Sequence, residues 1–158
     1  MISLIIPTHN DEARLVQALE PLVGASMEAL VRELIVVDAG STDATLEIAE
    51  DAGAVFAASL DEAVKQAKGP WLLILDPRVI LQSGWEKPVR GHIGTRKSPA
   101  RFHIKGAGLF GPKPVAILCL KQTAGGGGLG GVGHRLQQRI GIGKMDRLGE
   151  GALGVFRR

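Results

Sequence analysis

The sequence contains no tyrosine and a single cysteine, Cys119, so no disulfide can close within the chain. A reducing compartment is the simplest setting for such a protein, and the expected location is the cytoplasm. Long apolar runs are missing as well. The first, Ile2 to Ile6, has five residues and no basic segment ahead of it, too short for a membrane span or the core of a signal peptide. Aromatic side chains are only 4% of the chain. Beyond residue 62 they are Trp71, Trp85, Phe102, Phe110 and Phe156, with no nucleic-acid motif among them. Single-strand binding relies on exposed aromatic platforms interleaved with cations, so no nucleic-acid partner is expected. His9, His92, His103 and His134 show no metal-ligand spacing with each other or with Cys119, which argues against a zinc site.

What is present is ordinary for a globular protein. With 158 residues, 45% hydrophobic and 22% charged, the chain fits one domain over 1–158 that can bury a core of usual size. The net charge of +3 conceals an asymmetry: residues 1–62 carry 12 acidic and 2 basic side chains, residues 63–158 carry 4 acidic and 17 basic. The basic part suits a phosphate partner, either on a nucleotide or on an anionic membrane surface touched peripherally.

Periodicity orders the first half. Ile2 to Ile6 is a short β-branched run stopped by Pro7 and the polar stretch Thr8-His9-Asn10-Asp11, which predicts a strand and then a loop. Asn10 or Asp11 can cap the helix that follows, in which Leu15, Ala18, Leu19 and Leu22 recur at helical spacing up to Gly24. The unit repeats. Leu34 to Val37 predicts a strand ending at Asp38, and Ala39 to Asp43 a loop capping a helix to about Asp51. Ala54 to Ala57 is a third strand, Asp61 to Lys68 a third helix, and Trp71 to Leu75 a fourth strand ending at Asp76. Strands alternating with helices predict a parallel sheet covered on both faces. Gly84 to Arg101 is polar and basic with no clear period, and Val115 to Leu120 predicts a strand. Gly125 to Gly133 holds seven glycines and reads as a loop, His134 to Arg139 as a helix, and Leu153 to Phe156 as a short strand.

Three of these strands end in polar groups, at Thr8 to Glu12, Asp38 to Asp43 and Asp76 to Arg78. Ligands of open parallel sheets bind at the carboxyl ends of the strands, so the three clusters should meet at one crevice. Asn10, Ser41 and Asp43 can equally serve as helix caps.

Specific motifs sharpen this reading. The run Ser3-Leu4-Ile5-Ile6-Pro7-Thr8-His9-Asn10-Asp11-Glu12 resembles the opening signature of family 2 glycosyltransferases, and Ile35-Val36-Val37-Asp38-Ala39-Gly40-Ser41-Thr42-Asp43-Ala44-Thr45 resembles their second signature. Ile74-Leu75-Asp76 lies where that family carries Asp-x-Asp, and Ser83-Gly84-Trp85 resembles the segment after it. The resemblance implies a Rossmann-like GT-A fold, an α/β architecture with a mostly parallel central sheet flanked by helices. Residues 1–90 would form the nucleotide-binding half and 91–158 a reduced acceptor-side half. It further implies transfer of a hexose from a UDP- or GDP-type donor to a hydroxyl acceptor. By position, Pro7, Thr8 and Glu12 would line base and ribose, Asp38 would accept a hydrogen bond from the base, and Asp76 would face ribose or diphosphate. Asn10, Gly40, Ser41 and Asp43 complete the two loops of the nucleotide site.

Two departures from the family pattern bear on the chemistry. Arg78 stands where the second Asp of Asp-x-Asp would hold a divalent metal, so no metal is expected and Arg78 becomes a candidate ligand of the diphosphate. No carboxylate stands at the position of the family's catalytic base, ahead of His134-Arg135-Leu136-Gln137-Gln138-Arg139. His134 is the candidate base there, since an imidazole can take a proton near neutral pH. The alternative to an enzyme is a non-catalytic nucleotide or nucleotide-sugar binding module of the same fold.

Overall fold

A computed structural model describes residues 1–22, 30–105, 116–124 and 146–155. Its elements in chain order are β1 (Ile2–Thr8), α1 (Glu12–Leu19) running into a 3₁₀ turn (Glu20–Leu22), β2 (Val31–Asp38), α2 (Thr45–Asp51), β3 (Val55–Ala57) and α3 (Leu60–Gln66). There follow β4 (Trp71–Leu75), β5 (Val79–Leu81), α4 (Glu86–Thr95), β6 (Ala100–Lys105), β7 (Ala116–Leu120), the single turn α5 (Lys121–Ala124) and β8 (Asp146–Val155).

The described strands form one sheet in the order β3-β2-β1-β4-β7-β6-β8-β5. β1, β2, β3 and β4 are mutually parallel, as helical crossovers require, while β7 runs antiparallel to both β4 and β6. Strand side chains alternate between two cores. Ile2, Leu4, Ile6, Leu34, Val36, Leu73 and Leu75 pack with Leu15 and Leu19 of α1, Ala49 of α2 and Val89 of α4 on one face. Ile5, Ile35, Val37, Leu72 and Ile74 pack with Leu60, Ala63 and Val64 of α3 on the other. Burial on both faces explains why these strands are continuous apolar runs rather than alternating ones.

The order places the ligand edge. The chain winds from β1 through β2 to β3 on one side, then crosses to β4 on the other side of β1. That reversal is the switch point of an open sheet, where loops leave neighbouring strand ends in opposite directions and a crevice opens. Pairing between β1 and β4 ends at Ile5 with Ile74, whereas β1 and β2 stay paired to Thr8 and Asp38. The crevice therefore lies between the ends of β1 and β4.

The second half departs from its sequence reading. The polar stretch from Gly84 contains α4, although Pro88, Gly91 and Gly94 lower its intrinsic helicity. Tertiary burial holds it: Trp85 and Val89 lie in the first core, and the buried His92 ring meets Trp71 edge-on at 5.7 Å. His92 Nε2 also bonds the Ser98 carbonyl at 2.7 Å. The closing strand is longer than Leu153 to Phe156, spanning Asp146–Val155. The glycine segment 125–133 and the predicted helix at 134–139, with His134, lie outside the described residues.

Candidate nucleotide site at the carboxyl edge

In parallel register Thr8 faces Asp38, so both side chains leave the same face of the sheet at its carboxyl edge. Thr8 Oγ1 donates to Asp38 Oδ1 at 3.0 Å. The chain then turns tightly at Gly40, whose φ of +83° suits glycine, and two amides come back onto the same carboxylate. Gly40 N–H donates to Oδ2 at 2.9 Å and Ser41 N–H at 2.8 Å, while Ser41 Oγ donates to Oδ1. Four donors thus occupy the four acceptor positions of Asp38. Burial alone would raise the Asp38 pKa, but the hydrogen bonds, led by those from Ser41, hold it below the usual carboxylate range.

The same loop is fastened to the loop after β1. Asn10 N–H donates to Ser41 Oγ at 2.9 Å, and Asn10 Oδ1 accepts from Thr42 N–H at 2.8 Å. Asn10 adopts a left-handed φ of 52°, a region that asparagine tolerates better than most residues. Asp11 N–H donates to Thr45 Oγ1 at 2.9 Å and Glu12 N–H to Asp43 Oδ2 at 3.2 Å. These are the first amides of α1, which its own N-cap, Asp11, leaves without a side-chain acceptor. The second loop therefore caps the helix of the first. Asp43 also accepts the Thr45 hydroxyl and amide, and chiefly that hydroxyl keeps its carboxyl below the ordinary range.

On the other side of the crevice, Asp76-Pro77-Arg78-Val79 makes a turn closed by Val79 N–H to Asp76 O at 2.8 Å. The turn folds Arg78 back over Asp76. Nε reaches Oδ1 at 2.8 Å, Nη2 reaches Oδ2 at 2.6 Å, and the Arg78 amide adds a third bond to Oδ1 at 2.9 Å. This fork raises the Arg78 pKa, burial opposes the rise, and the charges of Asp76 and Asp11 add to it. Asp11 in turn pairs with Arg14 Nη1 at 2.7 Å. Charges of alternating sign thus follow one another at this edge: Arg14 is bonded to Asp11, whose charge acts on Arg78, which is bonded to Asp76.

The expected site residues thus divide into groups. Pro7 is buried in β1, Asn10, Ser41 and Asp43 are engaged in holding the two loops together, and Gly40 is bound to Asp38 within its own loop. Thr8, Asp38, Asp76 and Arg78 stand around the crevice with their polar atoms already paired. The Glu12 side chain stands exposed at the same edge, as does that of His9, which the motif reading did not single out. Sequence reasoning also passed over Thr45 and Arg14, and gave Asp11 only as a candidate helix cap within the first polar cluster. The signal for Thr45 was its place two residues after Asp43, within reach of the same helix end.

Comparison with known proteins now has a geometry to meet. The model for "Glycosyl transferase family 2" matches residues 3–97, more than half of the chain. The chain belongs to glycosyl transferase family 2. Among solved structures it is similar to a glucosyl-3-phosphoglycerate synthase from Mycobacterium tuberculosis, crystallised with Mn2+, UDP and glucosyl-3-phosphoglycerate. There the TM-score is 0.58 at 19% identity, covering 78% of this chain and 58% of that one. It is similar also to S. aureus TarS 1-349 in complex with UDP-GlcNAc, with TM-score 0.54 and 23% identity over 70% of this chain and 37% of that one. Identities at this level establish a shared fold, α/β with a mostly parallel central sheet of the GT-A type. A TPR repeat-containing protein of Synechococcus elongatus is 41% identical over 76 residues, 42% of this chain and 18% of that protein. In all three comparisons this family member spans less than two thirds of the relative's length.

Mn2+ accompanies UDP in the synthase structure, and the donor set at the end of β4 here does not fit a divalent ion. Both oxygens of Asp76 carry the Arg78 guanidinium, and among the described residues no three His, Cys, Asp or Glu side chains gather as metal ligands. Nor, among the described residues, is any helix long and apolar enough to cross a membrane.

Proposed function

We propose that the crevice between β1 and β4 binds a nucleotide-sugar of the UDP or GDP type and that the domain transfers its hexose to a hydroxyl acceptor with inversion. The observation that carries this reading is the pair of loops at the switch point, fastened to each other before any ligand arrives, with Asp38 and Asp76 on the same edge. Such a pre-formed rim lowers the ordering cost of binding. In the reaction the acceptor oxygen bonds to the anomeric carbon, the bond from that carbon to the diphosphate breaks, and the nucleoside diphosphate leaves. The acceptor's proton passes to a base, for which His134 is the candidate.

A second reading, a non-catalytic module that binds the nucleotide or nucleotide-sugar without turnover, is favoured by one observation. Arg78, at the family's metal position, is already engaged by its own neighbour Asp76. Incubation with UDP- and GDP-hexoses and a panel of hydroxyl acceptors separates the two. The transferase reading expects nucleoside diphosphate released in proportion to glycosylated product, and binding without any release supports the module. The basic part of the chain, with Lys87, Arg90 and Lys97 exposed on and just after α4, also suits peripheral contact with an anionic membrane in a cytoplasmic setting. Co-sedimentation with anionic but not neutral vesicles is the expected result.

A further inference from the structure

The misfit between Asp76-Pro77-Arg78 and a divalent ion has a positive side, which rests on the nucleotide-binding reading above. We propose that Arg78 is the diphosphate ligand of this domain and that Asp76 is its resident stand-in: an arriving diphosphate takes the guanidinium from the carboxylate, so that donor binding needs no cation. Three features carry this. First, the guanidinium already sits at the carboxyl end of β4, beside the switch point at which open sheets bind their ligands. Second, its partner is bound through the planar Nε and Nη2 edge, the same two-point geometry by which arginine holds a phosphoryl group. Third, the pair is not sealed away. The Arg78 side chain is 33% exposed against 14% for Asp76, so the cation is the more accessible partner.

The exchange balances in charge. With Arg78 on the carboxylate the pair is neutral, and a cation entering there would meet a guanidinium within hydrogen-bond distance of the ligand it requires. With Arg78 on the diphosphate, the more highly charged anion takes the cation, and Asp76 is left with acceptor oxygens for the donor's hydroxyl groups. Asp11, whose charge is felt at Arg78, is itself held by Arg14, so it does not leave a second uncompensated anion in the path of the diphosphate.

The test uses the full chain, with UDP and GDP titrated calorimetrically in chelator and again with Mn2+. Expected is affinity that survives chelator and weakens with salt. On Arg78→Ala the affinity should fall about 10- to 100-fold, the ordinary worth of a charge-assisted contact. Asp76→Asn should tighten UDP binding by several-fold, because it removes the competitor for the guanidinium; a merely structural ion pair would give unchanged or weaker binding. Circular dichroism and thermal melts confirm that each variant is folded. Binding that appears only with Mn2+ overturns the role of Arg78 and leaves the nucleotide site standing. Absence of nucleotide binding under both conditions takes both down, and looser binding by a folded Asp76→Asn variant overturns the exchange.

Discussion

Removing the Asp38 carboxylate tests whether this residue organises the loop it belongs to. In Asp38→Ala four donors lose their acceptor: Thr8 Oγ1, Ser41 Oγ and the amides of Gly40 and Ser41. Their costs differ with exposure. Thr8 is 1% exposed, so its hydroxyl is left largely without water and costs on the order of 1 kcal/mol or more. Gly40 is exposed and Ser41 half-buried, so water replaces much of what their amides lose, about 0.5–1 kcal/mol each, and the Ser41 hydroxyl, which can turn to water, adds little. The sum is a destabilisation of about 2–3 kcal/mol, or roughly 5–10 °C in Tm for a chain of this size. Asp38→Asn should lose about half as much. Its amide oxygen can still accept from the two backbone N–H groups, and the two hydroxyls can turn to accept from its NH2. Urea unfolding followed by circular dichroism, from pH 7 downwards, gives the numbers. Because the folded pKa of Asp38 is depressed, its contribution is complete above the unfolded value of about 3.9 and is lost as pH falls through the folded value. The gap between wild type and Asp38→Ala should therefore begin to narrow below about pH 4. An alanine variant within about 0.5 kcal/mol of wild type at pH 7, or a gap that does not change with pH, refutes the reasoning.

Other positions give independent checks. Gly69→Ala places a Cβ 2.8 Å from the Ser3 amide nitrogen and hydroxyl and 3.0 Å from the Ile2 carbonyl carbon, so backbone must move, at a cost of about 1–3 kcal/mol in urea unfolding. Asn10→Ala should destabilise more than Asn10→Gly, since both lose the bond from Thr42 but only alanine also resists the φ of 52°; equal losses by thermal melting contradict this. Cys119 is buried and its thiol is pushed up to about 12 by burial, so a thiol reagent should find no reactive group at pH 8 in the native protein and one after denaturation.

Legibility in the sequence followed the physics of each part. β1, β2 and β4 were readable because strands buried on both faces must be continuous apolar runs, and because His9, Asp38 and Asp76 mark where burial stops. Helix α4 was hidden. Its glycines and proline argue against a helix, and what holds it, the packing of Trp85, Val89 and His92 on the sheet, is set by residues far away in sequence. The site was readable as a set of positions and not as a set of bonds. Motif spacing put Asn10, Ser41 and Asp43 at one edge, but that they tie the first loop to the second depends on the register of Thr8 against Asp38. The fork of Arg78 onto Asp76 likewise follows from the turn through Pro77, which residue identities alone did not disclose.

The central claim is that a nucleotide binds at the carboxyl edge between β1 and β4. Amide chemical shifts of the isotopically labelled protein, recorded while UDP and then GDP are titrated in chelator, test it most directly. The account predicts shifts concentrated at Thr8 to Glu12, Asp38 to Asp43 and Asp76 to Val79. Ser3, Glu33 and Gly69, which are bonded together at the opposite edge, should stay fixed. No perturbation by either nucleotide, or perturbation centred on that opposite edge, would contradict it.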